Sequence, residues 1–268
     1  TITGVCNAAV ARNIVAKEAS GDILFFIDGD MEIMIDFIPL VLDDDQKLRY
    51  DCVTGHLDDI LYSAGNAFLG RRSLTYRKDL PLKPQRIWAS GGFFLIRKQA
   101  WDKIGGMRTK YKRGQDLDFI ARLKKTGVEV LRLPHLIAVH HTIDYRNRQR
   151  MWKLLFSGKL FYYPVYIRDH FFTGRVLGHA ARSNYTAFIL MLTLLSAFIG
   201  SFALIINFAL LITVYLARVA VNTAGTAVRY KFFYFFERLV YQIIRDIAFW
   251  AAFLFFYPFG PEEEYRQI

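Results

Sequence analysis

The run from Ser183 to Ala217, which contains no charged side chain, narrows the folds open to this chain more than any other feature. As one helix it would rise about 52 Å at 1.5 Å per residue, too far for one crossing of a hydrocarbon core about 30 Å thick. "IGSF" at 199–202 contains Gly200 and Ser201, which can turn the chain, so the run reads as two short membrane helices forming a hairpin over about 183–217. Arg175 and Arg182 precede it, Arg218, Arg229 and Lys231 follow it, and the turn carries no charge. A hairpin gathers all these cations on one face, which the positive-inside rule makes cytoplasmic. The competing reading is a buried helix pair in a soluble protein. A third apolar stretch, "IAFWAAFLFFYPFGP" at 247–261 within a segment of about 239–260, has the length of a short span, a re-entrant helix or an interfacial helix.

Composition agrees with a membrane setting. A formal charge of +11 together with 53% hydrophobic residues suits a lipid surface better than a nucleic acid. Residues 146–182, "RNRQRMWKLLFSGKLFYYPVYIRDHFFTGRVLGHAAR", mix basic and aromatic side chains with one acid, Asp169. Single-stranded nucleic-acid binders use the same ingredients, but adjacency to the apolar run favours an anionic bilayer surface. Cys6 and Cys52 match no metal spacing and read as reduced thiols.

Residues 1–145 alternate helical and strand patterns, which argues for an α/β layer fold. "AAVARNIVAKEA" (8–19) has helical spacing, and "ILFFI" (23–27) is a continuous apolar run suited to a strand buried on both faces. Further strands are expected at "YDCVTG" (50–55), "IWASGGFFLI" (87–96), "VEVLRL" and "LIAVHH". Helices are expected at "RKQAWDKIG", ended by Gly105, and "GQDLDFIARLKKTG", ended by Gly127. The stretch "DDILYSAGNAFLGRRSLTYRKDLPLKPQ" reads as a long functional loop.

"SGDILFFIDGD" ends in two carboxylates, Asp28 and Asp30. Ligands of open α/β sheets collect beyond the carboxyl ends of strands, and alternation sends both carboxylates to one side. Two such oxygen donors suit Mg²⁺ or Mn²⁺, whose shells are completed by phosphate and water. An Asp-Gly turn with a helix N-cap at Asp30 explains the same residues without a metal.

Three further elements carry a family resemblance. "ARN" at 11–13 leading into "KEASGDILFFIDGD", "GGFFLIRKQAWDKIGGM" (91–107) and "RGQDLDFIARLKKTG" (113–127) together resemble, in order and spacing over residues 8–145, the inverting family 2 glycosyltransferases of the GT-A fold. The resemblance implies a GT-A-like mixed sheet, a nucleotide-sugar donor, and Asp30 as ligand of Mg²⁺ or Mn²⁺ at the donor's pyrophosphate. It implies Asp28 near the metal and the donor hydroxyls, and Arg12 on the donor side. Gly91, Gly92 and Gln115 would lie beside the sugar, Gln115 replacing the usual Glu. Asp116 would be the base that takes the acceptor's proton, and Asp118 reads as a helix cap. "VHH" falls where the family places a histidine on the metal or the pyrophosphate. Alternation lets only one of His140 and His141 point inward, so both stand as candidates.

Family members begin with a strand, helix and strand that hold the nucleotide base, whereas only seven residues precede Ala8 here; an N-terminally truncated sequence is expected. Processive synthases of the wider family carry Gln-x-x-Arg-Trp where this chain has "RQRMW", with Met151 before Trp152. That difference favours single-sugar transfer to a lipid-linked or other glycan acceptor at the membrane. The expected organisation is a catalytic domain over 1–145, a juxtamembrane segment over 146–182 and membrane helices over 183–268. A non-catalytic membrane scaffold with a degenerate transferase domain is the alternative function.

Overall fold

The computed structural model describes residues 1–63, 65–73, 83–143, 148–196, 201–224 and 231–266. The chain divides into two compact units, Thr1–Asn147 together with Pro258–Ile268, and Arg148–Tyr257.

In the first unit the order is α1 (Ala8–Glu18), β1 (Ile23–Phe26), β2 (Met31–Ile33), a 3-10 turn at Ile35–Phe37 running into α2 (Ile38–Val41), and β3 (Cys52–Tyr62). Then come β4 (Phe68–Ser73), β5 (Gln85–Arg86), β6 (Phe94–Arg97), α3 (Lys98–Lys103), α4 (Gln115–Lys125) and β7 (Val130–Ile143). The strands form one mixed sheet in the order β1-β6-β3-β7-β2, with β4 added to β3 and β5 to β7. The β3–β7 pair is parallel and the other pairs are antiparallel.

Two apolar layers bury this sheet. Leu24 and Phe26 of β1 join Ala9, Phe94, Trp101, Phe119 and Leu123, while Ile23 and Phe25 pack on a second cluster with Phe37, Val53, Leu95 and Ile137. Phe26 stacks on Trp101 at 4.6 Å and Trp101 meets Phe119 at 4.8 Å, contacts worth about 0.5–1.5 kcal/mol each beyond their burial. Asn7 caps α1 by accepting from the N–H groups of Ala9 and Val10. Gly105 and Gly127, both at positive φ, follow the ends of α3 and α4 as expected.

Several boundaries differ from those read in the sequence. The expected loop beginning at Asp58 is instead the second half of β3 and its hairpin partner β4, although 74–82 lie outside the described residues. The strand expected over 87–96 begins only at Phe94, because Gly91 and Gly92 hold positive φ and turn the chain before it. The two strands expected around Pro134 are one, β7.

The second unit holds α5 (Arg148–Phe156), a 3-10 turn at Lys159–Phe161, α6 (Tyr162–Asp169), α7 (Gly174–Ser183), α8 (Tyr185–Ser196), α9 (Ser201–Thr223) and α10 (Lys231–Phe255). Among the described residues, one helical stretch, Leu204–Thr223, is long and apolar enough to cross a membrane. Only 11% of its apolar window is buried, which is not the pattern of a soluble core helix. The rest of the multi-pass expectation is not met by length and composition. Helix α8 has 12 residues, about 18 Å of rise, and α10 carries Glu237, Arg238, Arg245 and Asp246. Of the turn expected at 199–202, residues 199 and 200 lie outside the described residues, while Ser201 and Phe202 are the first residues of α9 rather than part of a turn. Helices α8, α9 and α10 share a buried polar set in which Tyr215 donates to Asp246 at 2.8 Å and Gln242 donates to both Thr186 and Asp246.

Candidate active site

The end of β1 and the middle of α1 meet at an ion pair. Arg12 donates through Nη2 to Asp28 Oδ1, its side chain mostly buried and that of Asp28 41% exposed. Burial pushes the Asp28 carboxyl above its ordinary value against the pull of Arg12, and the neighbouring Asp30 charge adds to the rise. Gly92 explains how the pair fits. A Cβ there would lie 2.5 Å from Arg12 Nη2 and 3.1 Å from Asp28 Oδ2, and its φ of +88° is itself a glycine conformation.

Asp30 stands beyond the strand with its side chain 54% exposed, 3.3 Å from His140 Nε2. The other ring nitrogen of His140, Nδ1, lies 3.0 Å from Asp59 Oδ1. Asp59 is fully buried and accepts from Arg72 Nη2 at 3.1 Å. Pairing of β3 with β7 sets Asp59 opposite His140 in register. His141 turns elsewhere, with Nδ1 3.0 Å from the Tyr62 hydroxyl, Nε2 2.9 Å from Glu32 and its ring stacked on Tyr62.

Gln115 and Asp116 open α4 after Gly114, whose φ of +76° turns the chain into the helix. The Gly91 N–H donates to Asp116 Oδ2 at 3.2 Å, which ties the glycine pair to the start of α4. Asp118 does not cap the helix. It is fully buried and paired with Arg122 at 2.8 Å and Arg108 at 3.3 Å, while Arg122 also donates to the carbonyls of Ile104 and Gly106.

The structure therefore brings Arg12, Asp28 and Gly92 into one contact, Asp30 and His140 into a second, and Gly91 and Asp116 into a third. Asp59 and Arg72 were not singled out in the sequence. "DDILY" reads as loop because acids are rare in buried strands, and only the β3–β7 pairing relates Asp59 to His140. The one available signal is the β-rich run "ILY" after the acids.

Among the described residues no three His, Cys, Asp or Glu side chains are grouped closely enough to hold a metal ion. Asp30 and His140 nonetheless offer one carboxylate oxygen and one imidazole nitrogen 3.3 Å apart. Adjacent ligands at about 2.1 Å from an octahedral ion lie roughly 3 Å from each other. Such a two-ligand set, a third of an octahedral shell, suits Mg²⁺ or Mn²⁺, which take their remaining ligands from phosphate and water.

Residues 4–105 match the family model Glycosyl transferase family 2, and residues 79–147 match N-terminal domain of galactosyltransferase. Over 152 residues, 54% of this chain, the sequence is 30% identical to N-acetyl-beta-glucosaminyl-glycoprotein 4-beta-N-acetylgalactosaminyltransferase 1 of Mus musculus, of which it covers 13%. A solved structure of GalNAc-T7 with UDP, GalNAc and Mn²⁺ superposes with a TM-score of 0.39 at 19% identity, covering 53% of this chain and 31% of that one. The chain thus spans less than a third of either protein's length.

Proposed function

We propose that this chain, whose residues 4–105 and 79–147 match two glycosyltransferase family models, is a family 2-like glycosyltransferase of GT-A type that moves a sugar from a nucleoside-diphosphate donor to a lipid-linked or other glycan acceptor at a membrane, with inversion. The observation that carries this reading is the pairing of Asp30 with His140 beside the Arg12–Asp28 contact at the end of β1.

In this reading Asp30 and His140 hold Mg²⁺ or Mn²⁺. That ion, when bound, neutralises charge on the departing diphosphate. Asp28, oriented by Arg12, accepts hydrogen bonds from donor hydroxyls, and Gly91 and Gly92 let the backbone approach the sugar ring. Asp116, fixed by the Gly91 N–H, takes the proton from the acceptor hydroxyl. That oxygen bonds to the anomeric carbon from the face opposite the leaving diphosphate, so one glycosidic bond forms as the sugar–phosphate bond breaks and the configuration inverts. Helix α9 and the exposed apolar residues Ile205, Phe208, Leu210 and Ile212 support seating in a bilayer, and the basic flanks support a multi-pass chain with its catalytic unit cytoplasmic.

The test uses the full chain in detergent with a panel of UDP- and GDP-sugars and reads nucleoside diphosphate released. Release is expected with Mn²⁺ or Mg²⁺, is lost in excess chelator, and falls about 10²-fold or more in Asp30→Ala with the fold unchanged. Equal release by the variant, or by wild type in chelator, rejects the metal assignment. No release from any donor rejects transfer in favour of a scaffold.

A further inference from the structure

We propose that Asp59 is a positioning residue for His140, fixing its ring and tautomer so that Nε2 is presented bare beside Asp30. The argument starts from what each atom can do. An ionised carboxylate accepts hydrogen bonds and donates none, so the 3.0 Å contact between Asp59 Oδ1 and His140 Nδ1 requires the hydrogen on Nδ1. In the neutral ring the lone pair is then on Nε2, the nitrogen 3.3 Å from Asp30.

Burying a carboxylate without a partner is costly, and Asp59 is fully buried. Arg72, from the adjoining strand β4, donates to its other oxygen at 3.1 Å, giving the buried carboxylate a cationic partner. Strand register adds the second constraint. Asp59 and His140 are directly paired across β3 and β7, so the contact joins two sheet positions rather than two mobile loops. The chain Arg72–Asp59–His140–Asp30 runs from a cation with a quarter of its side chain exposed to a half-exposed carboxylate. Partners of this kind, behind a metal-binding imidazole, typically change metal affinity about 10- to 100-fold when removed.

A structural ion pair between Asp59 and Arg72 would also explain the burial, but it makes no demand on the His140 tautomer. That difference decides the experiment. The full chain, ¹⁵N-labelled at histidine, is examined by NMR without metal at about pH 9, where imidazole is neutral, with the His140 resonances assigned from His140→Gln. Wild type is expected to show the Nδ1–H tautomer, and Asp59→Asn, whose amide can donate as well as accept, a mixture. Mn²⁺ binding, read from the EPR signal of the free ion, is expected to weaken about 10- to 100-fold in Asp59→Asn.

The affinity arm rests on the proposed function; the tautomer arm does not. An Nε2–H ring in wild type overturns the proposal and needs no variant to fold. A tautomer unchanged in folded Asp59→Asn overturns it as well. The expected tautomers with no Mn²⁺ bound by wild type leave Asp59 in its positioning role and reject the metal reading instead.

Discussion

Asp116 and Asp118 stand two positions apart at the start of α4, yet their surroundings give them opposite tasks. Asp116 is partly exposed and held by one backbone N–H, and it is the residue proposed above to meet the acceptor hydroxyl. Asp118 is sealed between Arg108 and Arg122, and Arg122 ties α4 to the carbonyls of Ile104 and Gly106. Removing one partner of a buried ion pair leaves an uncompensated charge, at a cost of about 3–5 kcal/mol. Asp118→Asn is therefore expected to lower the unfolding midpoint strongly while turnover per folded molecule stays near wild type. Asp116→Asn should keep the midpoint and donor affinity and lose transfer by about 10²-fold or more. Turnover and thermal unfolding of both variants check this, and an exchange of the two phenotypes would reverse the assignments. Sequence alone favoured a cap for Asp118 because an aspartate in a first turn is so often one. The arginines that claim it were visible as residues but not as neighbours. Asp28 and Asp30 were readable as carboxylates just beyond β1, whereas the sequence left His140 and His141 as alternatives, and the β3–β7 register sets His140 against Asp59 and beside Asp30.

Among elements, β7 illustrates where reading by pattern stops. Pro134 argues for a break, because a proline has no N–H for the ladder, but the strand runs through it from Val130 to Ile143. The parallel register with β3 shifts on either side of His56, between Thr54 and Leu57, so the proline lies at an irregularity where a ladder bond is not required. Gly55 permits the close passage, since a Cβ there would lie 2.6 Å from the His135 carbonyl oxygen. A second such element is the segment Pro258–Ile268, which pairs with the first residues of the chain. Thr3 N–H donates to the Glu264 carbonyl, Arg266 N–H to that of Thr1, and Glu263 accepts from Asn13 at 2.6 Å and pairs with Lys17. Asn13 also exchanges two hydrogen bonds with the Met107 backbone, which accounts for a buried polar residue on the inner face of α1. Gly260 is the close point of this segment. A Cβ would meet Thr109 Oγ1 at 2.3 Å and the Lys110 nitrogen at 2.9 Å. Gly260→Val is expected to lift the segment, so that amide hydrogen exchange at Thr3 and Arg266 speeds up while that of β3 and β7 is unchanged. Exchange at those two amides equal to wild type would mean that the pairing does not depend on this contact.

For the whole molecule, the two-unit division limits the topology. The chain enters the second unit at Arg148, leaves it at Tyr257, and both flanking segments belong to the first unit. A chain that begins and ends on one side of a bilayer crosses it an even number of times. If α9 crosses, a second segment must cross with it, and the choice lies between the apolar stretch of α8 up to Gly200 and α10. Helix α8 itself rises only about 18 Å, a length that would require local thinning of the bilayer. Helix α10 is longer, and its Asp246 is buried with Tyr215 and Gln242, an arrangement that membrane interiors tolerate. Charge separates the two. The connection after α9 contains Arg229 and that before it contains no charge, so under the proposed topology the positive-inside rule favours pairing α9 with α8. Native thiols supply the reference for the test. Cys6 is exposed, whereas Cys52 is buried and its thiol pushed up by that burial, so it stays silent to maleimides. In sealed vesicles, an impermeant maleimide should label Cys6, and Ala224→Cys in a Cys6→Ser background, from the same side, and Gly200→Cys in that background from the other. Labelling of all three from one side would mean that α9 lies in the interface. Gly200→Cys on the side of Cys6, with Ala224→Cys opposite, would pair α9 with α10 and place Arg229 outside, against the charge argument.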